Sequence, residues 1–188
     1  MQSQRSNPPA GGRTPGPSRQ RRRLLLVAPW AATLAWVPAA RGNPTAAEPA
    51  AVLTVHGRAF SSAERRQLGM AALSALPQRH ITTTTPWFSG PRRFTGPLLR
   101  DVLAASGAQV DGARVARCVA LNDYKVEIPM EDLRRFDVIA AHQLDGRAMT
   151  VREKGPLFVM YPFDEQPALR SATYFARCIW QLRTIELA

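Results

Sequence analysis

Residues 157–161, Leu-Phe-Val-Met-Tyr, are apolar without a break and stand between Pro156 and Pro162. A run this short, lacking alternation and closed at both ends by proline, reads as a strand buried on both faces. A chain holding such a strand needs a core around it. The segments flanking it supply short strands and turns rather than long helices, so the sequence predicts one sheet-rich α+β domain.

Only part of the chain is available for that core. Residues 1–47 hold seven arginines and no acid. Of the 25 Lys+Arg and 14 Asp+Glu, the remaining 18 basic and all 14 acidic groups lie in residues 48–188, a net +4. The +11 of the whole chain is therefore concentrated in its first quarter, and the body gives little support for a nucleic-acid partner. About 140 residues remain for the fold, one ordinary domain. No apolar run reaches the roughly 18–20 residues of a clean membrane span.

The first 47 residues read as a disordered N-terminal region carrying an export signal. Arg21-Arg22-Arg23 precedes an apolar stretch, residues 24–40, interrupted by Pro29 and Pro38 and followed by small residues. A charged segment, a short apolar segment and small residues define a secretory signal. Arg21-Arg22-Arg23-Leu24-Leu25 also resembles the twin-arginine consensus. Residues 48–188 are accordingly expected in the periplasm, with no stable membrane span after cleavage. There Cys118 and Cys178 could pair, although each sits in an apolar run that equally suits a buried free thiol.

Within the exported part, residues 53–57 suggest a strand. Ser61 and Glu64 have capping-box spacing, and Leu68, Ala72, Leu73 and Leu76 place a helix over 63–76, stopped by Pro77. Residues 81–85 should be extended up to Pro86. Leu99, Val102 and Leu103 place a helix over 98–105, ended by Gly107. Strands are expected at 115–121 and 126–130, a helical turn at 131–136, a hairpin of 138–144 with 148–152 about Asp145-Gly146, and a last strand at 178–187.

Thr82-Thr83-Thr84-Thr85-Pro86-Trp87 is the most unusual segment. Four hydroxyls in an extended run alternate between faces, and Pro86 frees Trp87 to project. If one face lines a pocket, Thr83, Thr85 and Trp87 meet a ligand there; β propensity alone also gives such a strand. Asn122-Asp123-Tyr124-Lys125 follows a strand, where binding groups collect, although Asn and Asp form turns without any ligand. Tyr161 offers a phenol after the most buried strand, ahead of Asp164 and Glu165, which diverge because they are adjacent. Lys154 puts an ammonium beside Gly155, whose backbone a ligand could approach closely. No HExxH, Gly-x-Ser-x-Gly or phosphate-loop pattern occurs.

Taken together, Thr82 to Trp87, Phe94-Thr95-Gly96-Pro97-Leu98-Leu99-Arg100-Asp101-Val102-Leu103, Asn122-Asp123-Tyr124, Ile128-Pro129, Leu144-Asp145-Gly146, Lys154-Gly155-Pro156-Leu157 and Ile179-Trp180-Gln181-Leu182 resemble the oxidoreductase molybdopterin-binding domain of the sulfite-oxidase type, in its short exported bacterial form. The resemblance implies a mixed α+β fold with a pterin-shaped cleft. In catalytic members a cysteine four residues before a tryptophan binds molybdenum; counting back from Trp87, that position is Thr83. A hydroxyl is a poor ligand for a thiolate-preferring site. Where the family has Pro-Leu-Arg, this chain has Pro156-Leu157-Phe158, and a position often lysine is Trp180. Losing these groups weakens the grip on a pterin phosphate by charge-assisted hydrogen bonds of roughly 1.5–3 kcal/mol each.

The resemblance therefore implies the fold without standard molybdenum chemistry. The expected function is a non-catalytic ligand-binding, accessory or sensory module, presenting Thr83, Thr85, Trp87, Asn122, Asp123 and Tyr124 to a small polar ligand or a periplasmic partner protein. The alternative is a molybdopterin-dependent oxidoreductase with an atypical metal site, Thr83 nearest molybdenum and Lys154 near the phosphate.

Overall fold

The computed structural model describes residues 50–57, 65–108 and 110–188. The export signal and the Ser61/Glu64 capping box lie outside them. Eleven strands and four short helices are seen among the described residues.

The residue 157–161 run behaves as its composition requires. It forms the strand β10 (Phe158–Met160), paired antiparallel with β7 (Ile139–Ala141), and every residue of both is buried. Two larger sheets accompany this pair. One has five strands: β1 (Ala51–Gly57), β2 (Arg66–Gly69), β5 (Val115–Ala120), β6 (Lys125–Pro129) and β11 (Leu182–Leu187), in the order β2-β1-β11-β5-β6. Its one parallel pairing joins β1 to β11. The other has four strands, β3 (Gln78–Thr85), β4 (Phe88–Pro97), β8 (Gln143–Leu144) and β9 (Arg147–Ala148), in that order.

Alternation decides which face of each strand is inward. Ala116, Cys118 and Ala120 of β5 are buried while their neighbours are half-buried, as a period of two demands. Leu53 and Val55 of β1 and Leu182, Ile185 and Leu187 of β11 face the same core. The helix α2 (Leu99–Ala105) adds Leu99, Val102 and Leu103, the predicted face. Burying each such side chain contributes about 1.5–3 kcal/mol. The turn between β8 and β9 has φ of 49° at Asp145 and 79° at Gly146. Two positive φ values in a two-residue loop suit the twist of a hairpin, and glycine takes the second without strain.

Three expectations are corrected. Of the helix expected over 63–76, the described residues form instead β2 followed by α1 (Met70–Ala75), on which only Leu73 is buried. Leu53 opposes Leu68 in the β1–β2 ladder, so pairing to an open sheet edge overrides a helical period. Residues 148–152 do not continue the hairpin: β9 stops at Ala148, and Val151–Glu153 is a single 3-10 turn closed by a capping box between Thr150 and Glu153. Residues 178–181 are not strand. The chain leaves α4 (Ala172–Arg177), unanticipated because it has no buried residue, and passes through Gln181 at φ 55° before β11 begins. The remaining short helix, α3 (Met130–Arg135), falls where 131–136 was expected.

Candidate functional site

The end of β3 and the loop after β10 are fastened together by hydroxyls. Thr83 is fully buried. Its Oγ1 donates to Asp164 Oδ1 at 3.1 Å and accepts from the Asp164 backbone N–H at 3.1 Å. Thr84 donates its backbone N–H to Asp164 Oδ2 at 3.0 Å and its hydroxyl to Oδ1 at 2.8 Å. The guanidinium of Arg170 pairs with Asp164 and also donates to Thr84 Oγ1 at 3.1 Å. Burial alone pushes the Asp164 carboxyl up, but the hydrogen bonds from Thr84, Arg170 and Thr83 together outweigh it and hold its pKa below the ordinary value. The adjacent Glu165 turns the other way, to Arg79 at 2.7 Å.

Beyond Pro86 the chain turns and projects Trp87 into a cluster of rings. Trp87 meets Phe158 at 5.5 Å, Phe175 at 6.1 Å and Trp180 at 6.1 Å between centroids, all edge-on. Phe158 and Trp180 also bridge through their backbones and pack edge-to-face at 6.1 Å. Such pairs add about 0.5–1.5 kcal/mol beyond their burial. The Lys154 ammonium lies 4.3 Å from the Trp180 centroid and 6.0 Å from that of Phe88. Lys154 takes the left-handed conformation, φ 73°, at the end of the 3-10 turn.

A cavity of about 460 Å³ opens beside this cluster, lined by Pro86, Trp87, Ala120, Asn122, Tyr124, Phe175, Ala176, Cys178 and Trp180. Its walls come from the β3–β4 turn, the β5–β6 turn, α4 and the link to β11. Asn122 Oδ1 accepts from the Tyr124 N–H at 3.2 Å, so the turn is an Asx turn with its amide NH2 left over. Arg177 holds α4 against α3: its guanidinium donates to Asp132 Oδ2 at 2.7 Å, and the Tyr161 hydroxyl donates to the same oxygen at 2.8 Å.

The expected site residues thus separate. Trp87, Asn122 and Tyr124 meet at the cavity. Thr83 is spent on Asp164, and the buried Thr85 Oγ1 has no partner and does not line the cavity. Asp123 points to Arg183 at 2.7 Å. Tyr161 is buried against Asp132, with its pKa raised chiefly by burial and then by that carboxylate, and it does not line the cavity. Lys154 covers Trp180 rather than lining the cavity, and what Gly155 approaches is its own chain: a Cβ there would strike the Met149 carbonyl. Phe175 and Cys178 also line the cavity and were not expected there, because their only signal was apolarity, which equally describes core; Trp180 was noted only as standing where the family often has a lysine.

Cys118 and Cys178 are both free and buried. Burial pushes the Cys118 thiol up to about 12 and raises that of Cys178 as well, so neither is a ready thiolate. Among the described residues no three His, Cys, Asp or Glu side chains gather to hold a metal ion, and no helix is long and apolar enough to cross a membrane.

The family model described as oxidoreductase molybdopterin binding domain matches residues 44–164, more than half of the chain. The chain belongs to this family. Its fold is also similar to part of the sulfane dehydrogenase SoxCD from Paracoccus pantotrophus, at a TM-score of 0.52 and 14% sequence identity over 72% of this chain. The chain spans 37% of that one. No curated protein matches it in sequence. The sheet-rich α+β, sulfite-oxidase-like fold expected from the residues is the fold observed.

A molybdenum pterin would find poor purchase on these side chains. The cavity is walled by rings and offers one amide, one phenol hydroxyl and one thiol that burial keeps protonated, with no carboxylate and no guanidinium. Thr83, the expected nearest group, has its hydroxyl proton and a lone pair engaged by Asp164. The residues lining this cavity, and Thr83 beside it, do not fit the group.

Proposed function

We propose that this chain is an exported, non-catalytic ligand-binding module on the molybdopterin-binding fold, serving in the periplasm as an accessory or sensory domain. The observation that carries this reading is the use made of Thr83. If it stands at the position of the metal-binding cysteine, the hydroxyl there is not an idle replacement. It donates to one group of Asp164 and accepts from another, which converts a ligand position into a fastening between strand and loop.

Phe158 and Trp180 support the same reading. They stand where the family resemblance leads one to expect cations for a phosphate, and here they bridge each other and pack against Trp87. Rings have replaced charge as a pair, and together with Trp87 they form one packed unit. The binding surface on this reading is the cavity of Trp87, Asn122 and Tyr124, completed by Phe175, Cys178 and Trp180.

The test is metal content. Protein purified from a host able to make and insert the cofactor is expected to hold far less than one molybdenum per chain and to release no pterin fluorescence on denaturation. Near-stoichiometric molybdenum would overturn the proposal.

A further inference from the structure

Aromatic walls attract two kinds of guest. Flat rings stack or pack edge-on against them, and cations are drawn to the negative faces of the rings. The charges around the cavity decide between these. Its lining contains no carboxylate, and the acid on the same turn, Asp123, is committed to Arg183 at 2.7 Å. Lys154 places its ammonium 4.3 Å from the Trp180 centroid and forms no ion pair among the described residues. The chain has therefore supplied its own cation to this ring.

Resting on the ligand-binding role proposed above, we infer that the cavity between Trp87 and Trp180 takes an uncharged planar ring carrying a hydrogen-bond acceptor at its edge, and that Lys154 sets this selectivity. An entering organic cation would meet the repulsion of the ammonium held 4.3 Å from the Trp180 centroid. An entering anion would have to leave water for four rings, one amide and one phenol hydroxyl, with a single ammonium to compensate its charge. A neutral ring meets neither cost. Trp87, Phe175, Tyr124 and Trp180 offer it apolar contact. Asn122, whose Oδ1 is taken by the Tyr124 N–H, has its NH2 free to donate to a phenolic or carbonyl oxygen. A cavity of about 460 Å³ has room for a bicyclic ring.

Calorimetric titration of the purified protein at neutral pH with three probes of similar size tests this: 2-naphthol, naphthalene-2-sulfonate and N-methylquinolinium. The expected result is that 2-naphthol binds at least tenfold tighter than either ion, and that Trp87→Ala weakens it at least tenfold. Lys154→Met, which keeps the stem and removes the charge, is expected to raise N-methylquinolinium affinity at least tenfold while leaving 2-naphthol within about threefold. Equal binding of all three probes, preference for an ion, no binding of 2-naphthol, or a Lys154→Met variant that still rejects the cation would each overturn it. If Trp87→Ala does not fold, the Lys154→Met arm stands alone, since that change touches only the rings of Trp180 and Phe88. Molybdenum measured on the same preparation separates the two proposals. Metal-loaded protein removes the accessory role, whereas metal-free protein that ignores 2-naphthol removes only the selectivity.

Discussion

Thr83 and Asp164 are bound to each other twice: the hydroxyl of Thr83 donates to the carboxylate of Asp164 and accepts from its backbone N–H, each at 3.1 Å. The two residues are 81 positions apart, so the pair closes β3 onto the loop after β10. It also explains why a threonine run is useful there. Thr83 and Thr84 serve the same carboxylate from the strand end, one with its hydroxyl and the other with both its hydroxyl and its backbone N–H.

Thr83→Val keeps the shape and removes both bonds, leaving the Asp164 N–H without its acceptor. The expected loss is about 1–3 kcal/mol, read as a lower urea midpoint with an unchanged slope. Thr82→Val, at an exposed position on the opposite face, should stay within about 0.5 kcal/mol. Equal effects at the two sites would remove the fastening.

Acid should undo the same contact. The native Asp164 carboxyl titrates below its ordinary value, so its stabilisation is complete above the unfolded pKa and is lost as pH falls through the folded one. Urea midpoints measured between pH 6 and pH 2 should fall steeply in the lower part of that range. Asp164→Asn should start lower at pH 6 and fall less. Parallel curves for the two proteins would contradict this.

The thiols give a sharper readout. Both are free and buried, with pKa values raised by burial, about 12 for Cys118. Native protein at pH 8 should react with a thiol reagent over hours, and protein unfolded in urea without reductant should show two thiols within minutes. Finding none on unfolding would mean that the two are paired. Rapid labelling of Cys178 in the native protein would mean that the cavity wall opens.

Removing Arg177 should cost more than removing the Tyr161 hydroxyl. Arg177→Met leaves the nearly buried Asp132 carboxylate without its cation, a loss at the lower end of roughly 3–5 kcal/mol because Arg177 is partly exposed. Tyr161→Phe removes one of two donors, and about 1–2 kcal/mol is expected. Since Arg177 also closes α4, from which Phe175 lines the cavity, Arg177→Met should weaken ring binding as well, measured by the same calorimetry.

Where periodicity had a partner already in place, the sequence was enough. Residues 157–161 could only be an inner strand, Leu99, Val102 and Leu103 could only face inward together, and Asp145-Gly146 takes the two positive φ values that its residues favour. Residues 66–69 and 178–181 failed for one reason. Their apolar residues satisfied a local pattern, but the sheet edge of β1 and the rings around Trp87 were filled by chain segments remote in sequence.

The candidate site divides along the same line. By itself the sequence determined that Trp87 would project past Pro86, that Asn122 and Tyr124 would lie on a turn, and that this domain belongs to a fold built for a pterin. Local stereochemistry is sufficient for the first two, because proline and the Asx turn act within a few residues. Only the tertiary structure decided that Thr83 would be consumed by Asp164, that Tyr161 would be buried against Asp132, and that Lys154 would cover Trp180. A hydroxyl, a phenol and an ammonium are chemically ready for a ligand in any sequence. Whether they meet a ligand or another part of the chain depends on which distant segment the core brings against them.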